Sequence, residues 1–378
     1  MSLSNPADTA PDYIRNLPRY VPGKPASEVK REQAKQSQPQ RLHRMASNEN
    51  PLGVSDKALA AMQAVMADAA NYPDPSGHQL KARLSARLRV EAQQLVLGNG
   101  SSELLDLAAR CFLRAGDEAV YSQYAFQAYP VAIHAVGATP VCVPARDYGH
   151  DLDAMRAAIT ERTGLVFIAN PNNPTGTLLD AAALQRFVAA VPRHILVVLD
   201  EAYGEFLPCV ENAADALHSC DWIAEHPHLL VLRTFSKAYG LAGMRVGYGV
   251  AHPAVADLLN RLRLTFNTSA MAQAAAEAAF DDADFLQRSR SNNAQGMVQL
   301  EQGLQALGLP FIRSHANFIA IDVSSTGRTG AEVAQQLLAA GVIIRPLGAN
   351  QLPQFIRVTV GLPEDNVAFL GALKQVLS

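Results

Sequence analysis

A surplus of charge of one sign is missing from this sequence. Its 378 residues hold 32 Lys and Arg against 35 Asp and Glu, a net charge of −3. Such a chain offers no field to attract nucleic acid or an anionic membrane. Cysteine is scarce as well: the 4 thiols, at 111, 142, 209 and 220, include no CxxC pair and have no histidines at metal-ligand spacing. That excludes a disulfide scaffold and a thiolate metal centre, and leaves free thiols in a reducing compartment. Long apolar runs are absent. The longest uncharged stretch, Ala119–Ala145, is broken by Pro130, Gly137, Pro140 and Pro144 and reads as strand, helix and strand, not as a membrane span. The opening MSLSNPADTAPDY lacks the basic-then-apolar order of a secretory signal. No internal repeat or low-complexity tract interrupts the chain. These absences lead to the expectation of a cytoplasmic protein of enzyme size.

What is present is a rhythm. Hydrophobic residues make up 49% of the chain and charged ones 18%, a globular balance. Residues 1–40 are rich in proline and charge and read as an extended arm with one short polar helix. Helices are expected over 56–67, where Ser55 can cap, and over 78–88. From residue 94 the apolar runs QLVLG, DEAVYS, TPVCVP, LVFIAN, ILVVLD, LLVLRT and VGYGVA alternate with helical segments at 101–114, 124–136, 153–160 and 180–190. Continuous apolar strands separated by helices predict an α/β unit whose mostly parallel sheet is buried on both faces. Helices over 253–264, 270–280 and 283–307 follow. A mixed unit then reads ANFIAID (strand), 330–340 (helix), VIIRPL and FIRVTV (strands) and 364–377 (helix). The division expected is an arm over 1–45 that packs on the small domain or a partner subunit, a large α/β domain over 46–275 with a seven-stranded sheet between helices, and a small α+β domain over 276–378.

Ligands of such sheets bind outside the carboxyl ends of the strands. After QLVLG comes Asn99–Gly100–Ser101–Ser102 at the start of a helix, where free N–H groups and hydroxyls can cradle a phosphate. As a lone signal, serine there is more often an ordinary cap. Phe126 follows DEAVYS and can stack on a planar ring, although most aromatics are core. PNNPTG follows LVFIAN, and its prolines stiffen the loop that presents Asn173. Asp200 ends ILVVLD and leads into Glu201, Ala202 and Tyr203. A carboxylate at the end of an apolar strand is costly to bury unless it meets a cation. Thr234, Ser236 and Lys237 close LLVLRTFSK, with Arg245 a few residues on among glycines. An amine held in a dry pocket has the lowered pKa needed to attack a carbonyl. Together these parts describe a pyridoxal 5′-phosphate site. Lys237 would be the Schiff-base lysine, Asp200 the partner of the ring nitrogen, Tyr203 and Asn173 the partners of the ring oxygen, and the serines and arginine the phosphate ligands.

The chain resembles the fold-type I pyridoxal-phosphate enzymes, and among them the histidinol-phosphate aminotransferases. NPNNPTG, DEAY and the S-K-x-x-x-L-x-G-x-R element (Ser236, Lys237, Leu241, Gly243, Arg245) are spaced as in that family. RNLPRYVPGKP, ASNENPLG, NYPDPSG and the C-terminal IIRP and FIRVTVG are also similar, from about Tyr13 to the end. The resemblance implies that Gly100, Ser101, Ser102, Thr234, Ser236 and Arg245 hold the phosphate and that Phe126 stacks on the ring. Relatives often carry tyrosine at that aromatic position, so a hydroxyl role there is absent. It further implies that Tyr72 reaches the cofactor phosphate of a neighbouring subunit, making a homodimer with shared active sites. Arg357 would bind the substrate's carboxylate or phosphate, with Asn173, Arg345 and Tyr20 lining the same pocket. The bland reading of Arg345 and Arg357 is a surface ion pair, but each sits on or just after an apolar strand, which favours a pocket.

The implied reaction is amino transfer between histidinol phosphate and 2-oxoglutarate in histidine biosynthesis. Planar arginines accept phosphate or carboxylate alike, so one site can serve both half-reactions. The same latitude keeps phenylalanine, tyrosine and prephenate open as substrates. A threonine-phosphate decarboxylase, which shares the scaffold, stays open too. A pyridoxal-phosphate-sensing transcription regulator would need a basic DNA-binding domain before ASNEN, and the residues there are not strongly basic.

Overall fold

Strands that are apolar along their whole length have to be covered on both faces, and the computed structural model, which describes residues 5–17, 41–207 and 218–377, shows how. Seven strands form one sheet in the order Leu95–Gly98, Gly247–Ala251, Leu229–Thr234, Leu196–Asp200, Thr163–Ala169, Glu118–Ser122, Thr139–Val143. Only Gly247–Ala251 runs against its neighbours; the others share one direction. Val166, Ile168, Val197, Leu199, Leu229 and Val231 face one core with the helices Asp56–Val65, His78–Leu88, Ala181–Ala190 and Ala270–Phe280. The alternate residues Leu165, Phe167, Leu196, Val198, Leu230 and Leu232 face the other, with Ser101–Phe112, Ala128–Ala135 and Pro253–Leu262. The period of two along each strand assigns the side chains to the two cores. This is the α/β sandwich expected from the sequence.

Three details differ. TPVCVP was expected to be buried on both faces, but Thr139–Val143 is an edge strand with Thr139 and Cys142 exposed. Pro140 there has only one neighbouring strand to serve, so its missing N–H costs no ladder bond on the open side. The helix expected over 124–136 is Ala128–Ala135, because Tyr124 adopts a left-handed φ of +55° and residues 124–127 form a loop. The helix expected over 153–160 ends at Ala157.

The smaller unit has a four-stranded antiparallel sheet in the order Arg345–Pro346, Phe355–Thr359, Phe318–Asp322, Phe311–Ile312. Ala283–Ala306, Gly330–Ala339 and Pro363–Leu377 supply its helices. The run VIIRPL, expected as one strand, is divided: Val342–Ile343 pairs in parallel with His43–Arg44, whereas Arg345–Pro346 pairs with Phe355–Thr359. His43–Arg44 was not anticipated, since two residues carry no period to read. Met45, next in the chain, packs into the core of this unit.

Beneath the carboxyl ends of the main strands, Glu201 and Arg233 are both buried, and Glu201 Oε2 accepts from Arg233 Nε at 3.0 Å and Nη2 at 2.7 Å. The pair ties the strand ending in Asp200 to the strand leading to Lys237. Glu201→Ala, which leaves the guanidinium buried without that carboxylate, is expected to lower stability by about 3 kcal/mol in urea unfolding.

Candidate active site

The common strand direction gathers the carboxyl ends at one edge of the sheet, where a cavity of about 280 Å³ opens. Ser101, Ser102, Phe126, Asn173, Asp200, Tyr203, Thr234, Ser236, Lys237, Arg245, Arg345 and Arg357 all line it. Gly100 lies directly behind Arg245. Tyr72 is not among the lining residues: its ring is 81% exposed and stacks on Phe266 at 4.4 Å between centroids. Tyr20 lies outside the described residues.

Lys237 Nζ donates to the carbonyl of Ser47 at 3.3 Å and lies 5.6 Å from the centre of the Tyr203 ring. Burial, then the charges of Arg357 and Arg245, lower its pKa to about 8, against the opposite pull of Glu49 and Asp200. Asp200 is held by two neutral donors, the Tyr129 hydroxyl at 2.9 Å on Oδ2 and the Ala202 N–H at 3.1 Å on Oδ1. Burial pushes its carboxyl up from the usual range, and the Tyr129 hydrogen bond, the Ala202 N–H and the Lys237 charge oppose that. The Tyr203 oxygen accepts from Asn48 Nδ2 at 2.8 Å and from Asn173 Nδ2 at 3.3 Å. Asn173 Oδ1 in turn accepts from Arg357 Nη1 at 2.5 Å.

At the far end of the cavity, the helix Ser101–Phe112 begins on Gly100 with no side chain capping its first turn. Its first N–H groups are therefore available to an anion. Ser236 Oγ accepts from Thr234 Oγ1 at 3.0 Å and from Arg245 Nη1 at 3.3 Å. The close approach needs glycine: a Cβ on Gly100, whose φ is +73°, would lie 2.5 Å from Arg245 Nη2, and one on Gly247 would lie 2.6 Å from the Ser101 nitrogen. At the opposite end Arg345 and Arg357 are directly paired across two antiparallel strands. Like charges so placed repel, and an anion between them removes the repulsion.

This donor set fits pyridoxal phosphate. Helix amides, hydroxyls and a guanidinium suit its phosphate, a buried carboxylate suits a protonated ring nitrogen, and an amine of lowered pKa stands between them. The chain belongs to the class I and II aminotransferases, whose family model matches residues 41–371, and it is a transaminase that works with pyridoxal phosphate. The sheet order and small unit are those of that class: a Thermus thermophilus aspartate aminotransferase, 22% identical, has the same fold with a TM-score of 0.83 over 97% of this chain and 99% of that one.

Within the class it falls in the histidinol-phosphate aminotransferase family. It is 52% identical over 370 residues to the histidinol-phosphate aminotransferase of Methylobacillus flagellatus, covering 98% of each chain. It is also 52% identical over 365 residues to histidinol-phosphate aminotransferase 2 of Pseudomonas aeruginosa, covering 97% of this chain and 96% of that one. The crystal structure of the Sinorhizobium meliloti histidinol-phosphate aminotransferase in complex with pyridoxal 5′-phosphate is 29% identical, with a TM-score of 0.87 over 98% of this chain and 97% of that one.

Several contributors were not read as site residues from the sequence. Asn48 and Ser47 sit in the ASNENPLG loop, whose crowding of turn-formers was the available signal. Tyr129 sits inside an apolar helix and gives no sign of its contact with Asp200. Gln127 and Asn350 join the lining from opposite units, donating to the carbonyls of Ala349 and Ala125 at 2.6 and 3.3 Å.

Two measurements follow from this geometry. In the cofactor-free protein, modification of Lys237 by an amine-directed reagent is expected to rise with a midpoint near pH 8, because only the neutral amine reacts. Glu49→Gln should move the midpoint lower, since the Glu49 charge favours the protonated form. Gly100→Ala, which displaces Arg245, should weaken pyridoxal-phosphate binding about tenfold or more in equilibrium dialysis.

Proposed function

We propose that the chain moves the amino group of L-histidinol phosphate to 2-oxoglutarate, giving imidazole-acetol phosphate and glutamate, in histidine biosynthesis. The observation that carries this reading is the pairing of Arg345 with Arg357 in the cavity that holds Lys237. Two guanidiniums can bind the phosphate of one substrate and the carboxylate of the other in turn. The names of the curated relatives point the same way.

Pyridoxal phosphate, when bound, supplies the carbonyl on which amino groups are exchanged and a protonated ring that draws electrons from the substrate carbon. In this reading Ser101, Ser102, Thr234, Ser236 and Arg245, with the room left by Gly100, hold its phosphate. Phe126 would cover the ring, Asp200 would meet the ring nitrogen, and Tyr203 and Asn173 would meet the ring oxygen. Lys237 Nζ would take the proton from the carbon of the amino donor and, in the second half-reaction, deliver one to the carbon of the oxo acid that receives the amino group, a task suited to an amine with a pKa of about 8. Arg357, gripped by Asn173 and the Ala46 carbonyl, orients the substrate's anionic group. Tyr20 would line the same pocket.

The reading includes a cytoplasmic homodimer with shared active sites, a large domain over 46–275, a small one over 276–378 and an N-terminal arm over 1–45. The exposure of Tyr72 at 81%, stacked on Phe266 at 40%, supports a partner subunit there, since large apolar groups gain by being covered. Among the described residues no helix is long and apolar enough to cross a membrane.

A half-reaction screen tests the substrate assignment. With stoichiometric amino donor, the visible absorbance of bound cofactor should convert faster with histidinol phosphate than with phenylalanine or tyrosine; faster conversion by phenylalanine would make the chain an aromatic aminotransferase. Lys237→Ala should lose turnover by about a millionfold. Mixing Tyr72→Ala with Lys237→Ala subunits should restore part of the activity that each lacks, and no recovery would rule out shared sites.

A further inference from the structure

Tyr129 is among the largest side chains wholly withdrawn from water, and a buried hydroxyl needs a partner. It stands on the helix Ala128–Ala135, shortly after Phe126, and donates to Asp200 Oδ2 at 2.9 Å. Its ring is clamped, stacked on Phe167 at 4.8 Å with 3° between planes and edge-on to Phe126 at 5.9 Å. The other carboxylate oxygen takes the Ala202 N–H. One neutral donor thus occupies each oxygen, and the remaining acceptor capacity belongs to the cavity that Asp200 lines.

We infer that Tyr129 is a positioning residue that keeps the Asp200 carboxylate ionised and aimed into the cavity, and so sets how firmly the ring nitrogen of pyridoxal phosphate is held as a cation. The inference rests on the assignment of Asp200 to that nitrogen. Burial drives the carboxyl toward its neutral form, and the hydrogen bond from Tyr129 is the largest influence against this, ahead of the Ala202 N–H and the charge of Lys237. Lys237 changes its charge while it handles protons, so its support is intermittent. The hydroxyl's support is constant: burial first, then the charge of Asp200, raise the Tyr129 phenol well above its ordinary range, and Tyr203 adds to this, so it remains a donor. Removing the hydroxyl removes a stabiliser of the charged carboxylate. The Asp200 pKa then rises, and the ionised fraction falls most on the acid side.

The test is a cycle of Tyr129→Phe, Asp200→Asn and the double variant, with pyridoxal-phosphate affinity measured by equilibrium dialysis from the lowest pH at which the protein stays folded, about 4, up to about 9. Tyr129→Phe should bind about tenfold more weakly. The acid limb of its affinity profile should move up by about one pH unit. In the Asp200→Asn background the same change should matter less than about twofold. A ring-fluorinated tyrosine introduced at 129 keeps the shape but donates more strongly, and should move the acid limb down. An unmoved acid limb in either variant, or an equal effect of Tyr129→Phe with and without the carboxylate, would overturn the inference. Should Tyr129→Phe not fold, the fluorinated protein alone decides. If Asp200→Asn binds as tightly as the unaltered protein, the ring-nitrogen assignment itself fails, a result distinct from failure of Tyr129 alone.

Discussion

Everything at this site depends on holding a half-buried amine and a buried carboxylate at the ends of adjacent parallel strands. Each charge on its own is disfavoured by burial, which lowers the pKa of Lys237 and raises that of Asp200. The fold tolerates this because the strands beneath are apolar and covered on both faces, so a large core offsets what the local donors to Asp200, Tyr129 and the Ala202 N–H, leave uncompensated. On the opposite side, Glu201 and Arg233 fasten the same strands with a buried ion pair. The amine and the carboxylate are therefore held by rigid elements, and the glycines allow the close approach of Arg245 to the start of the helix Ser101–Phe112.

The cavity is shared between two sheets. The large sheet supplies the floor, from Ser101 to Lys237, and the small antiparallel sheet supplies Arg345 and Arg357. Hydrogen bonds from Gln127 to Ala349 and from Asn350 to Ala125 close the seam between them. The buried carboxylate and the amine of lowered pKa come from one side and the paired arginines from the other. Such a division lets the substrate contacts vary while the amine and its carboxylate stay fixed.

Much of this was legible in the sequence because continuous apolar strands announce themselves, and the residue following each is a candidate by topology alone. That logic reached Asp200, Asn173, Lys237 and the Gly100–Ser102 turn. It could not reach Tyr129, whose hydroxyl is meaningful only once helix and strand are packed, nor Asn48, which meets Tyr203 across 155 positions of sequence. It overestimated the burial of TPVCVP, since nothing in a single strand's composition says that it lies at an edge. It read VIIRPL as one strand because a break after Ile343 is made by pairing partners far away, at His43–Arg44 and Phe355–Thr359.

The segment from Met45 to Asn48 touches Arg357, Lys237 and Tyr203 together. The carbonyl of Met45 accepts from the Thr359 N–H at 2.8 Å, that of Ala46 from Arg357 at 2.9 Å and that of Ser47 from Lys237 at 3.3 Å, while the Asn48 side chain reaches Tyr203 at 2.8 Å. Three of these four contacts are made by the backbone, so the segment acts as a ruler laid across both sheets. Its length is therefore fixed: one residue more or fewer would take the carbonyls from Arg357 and Lys237 at the same time.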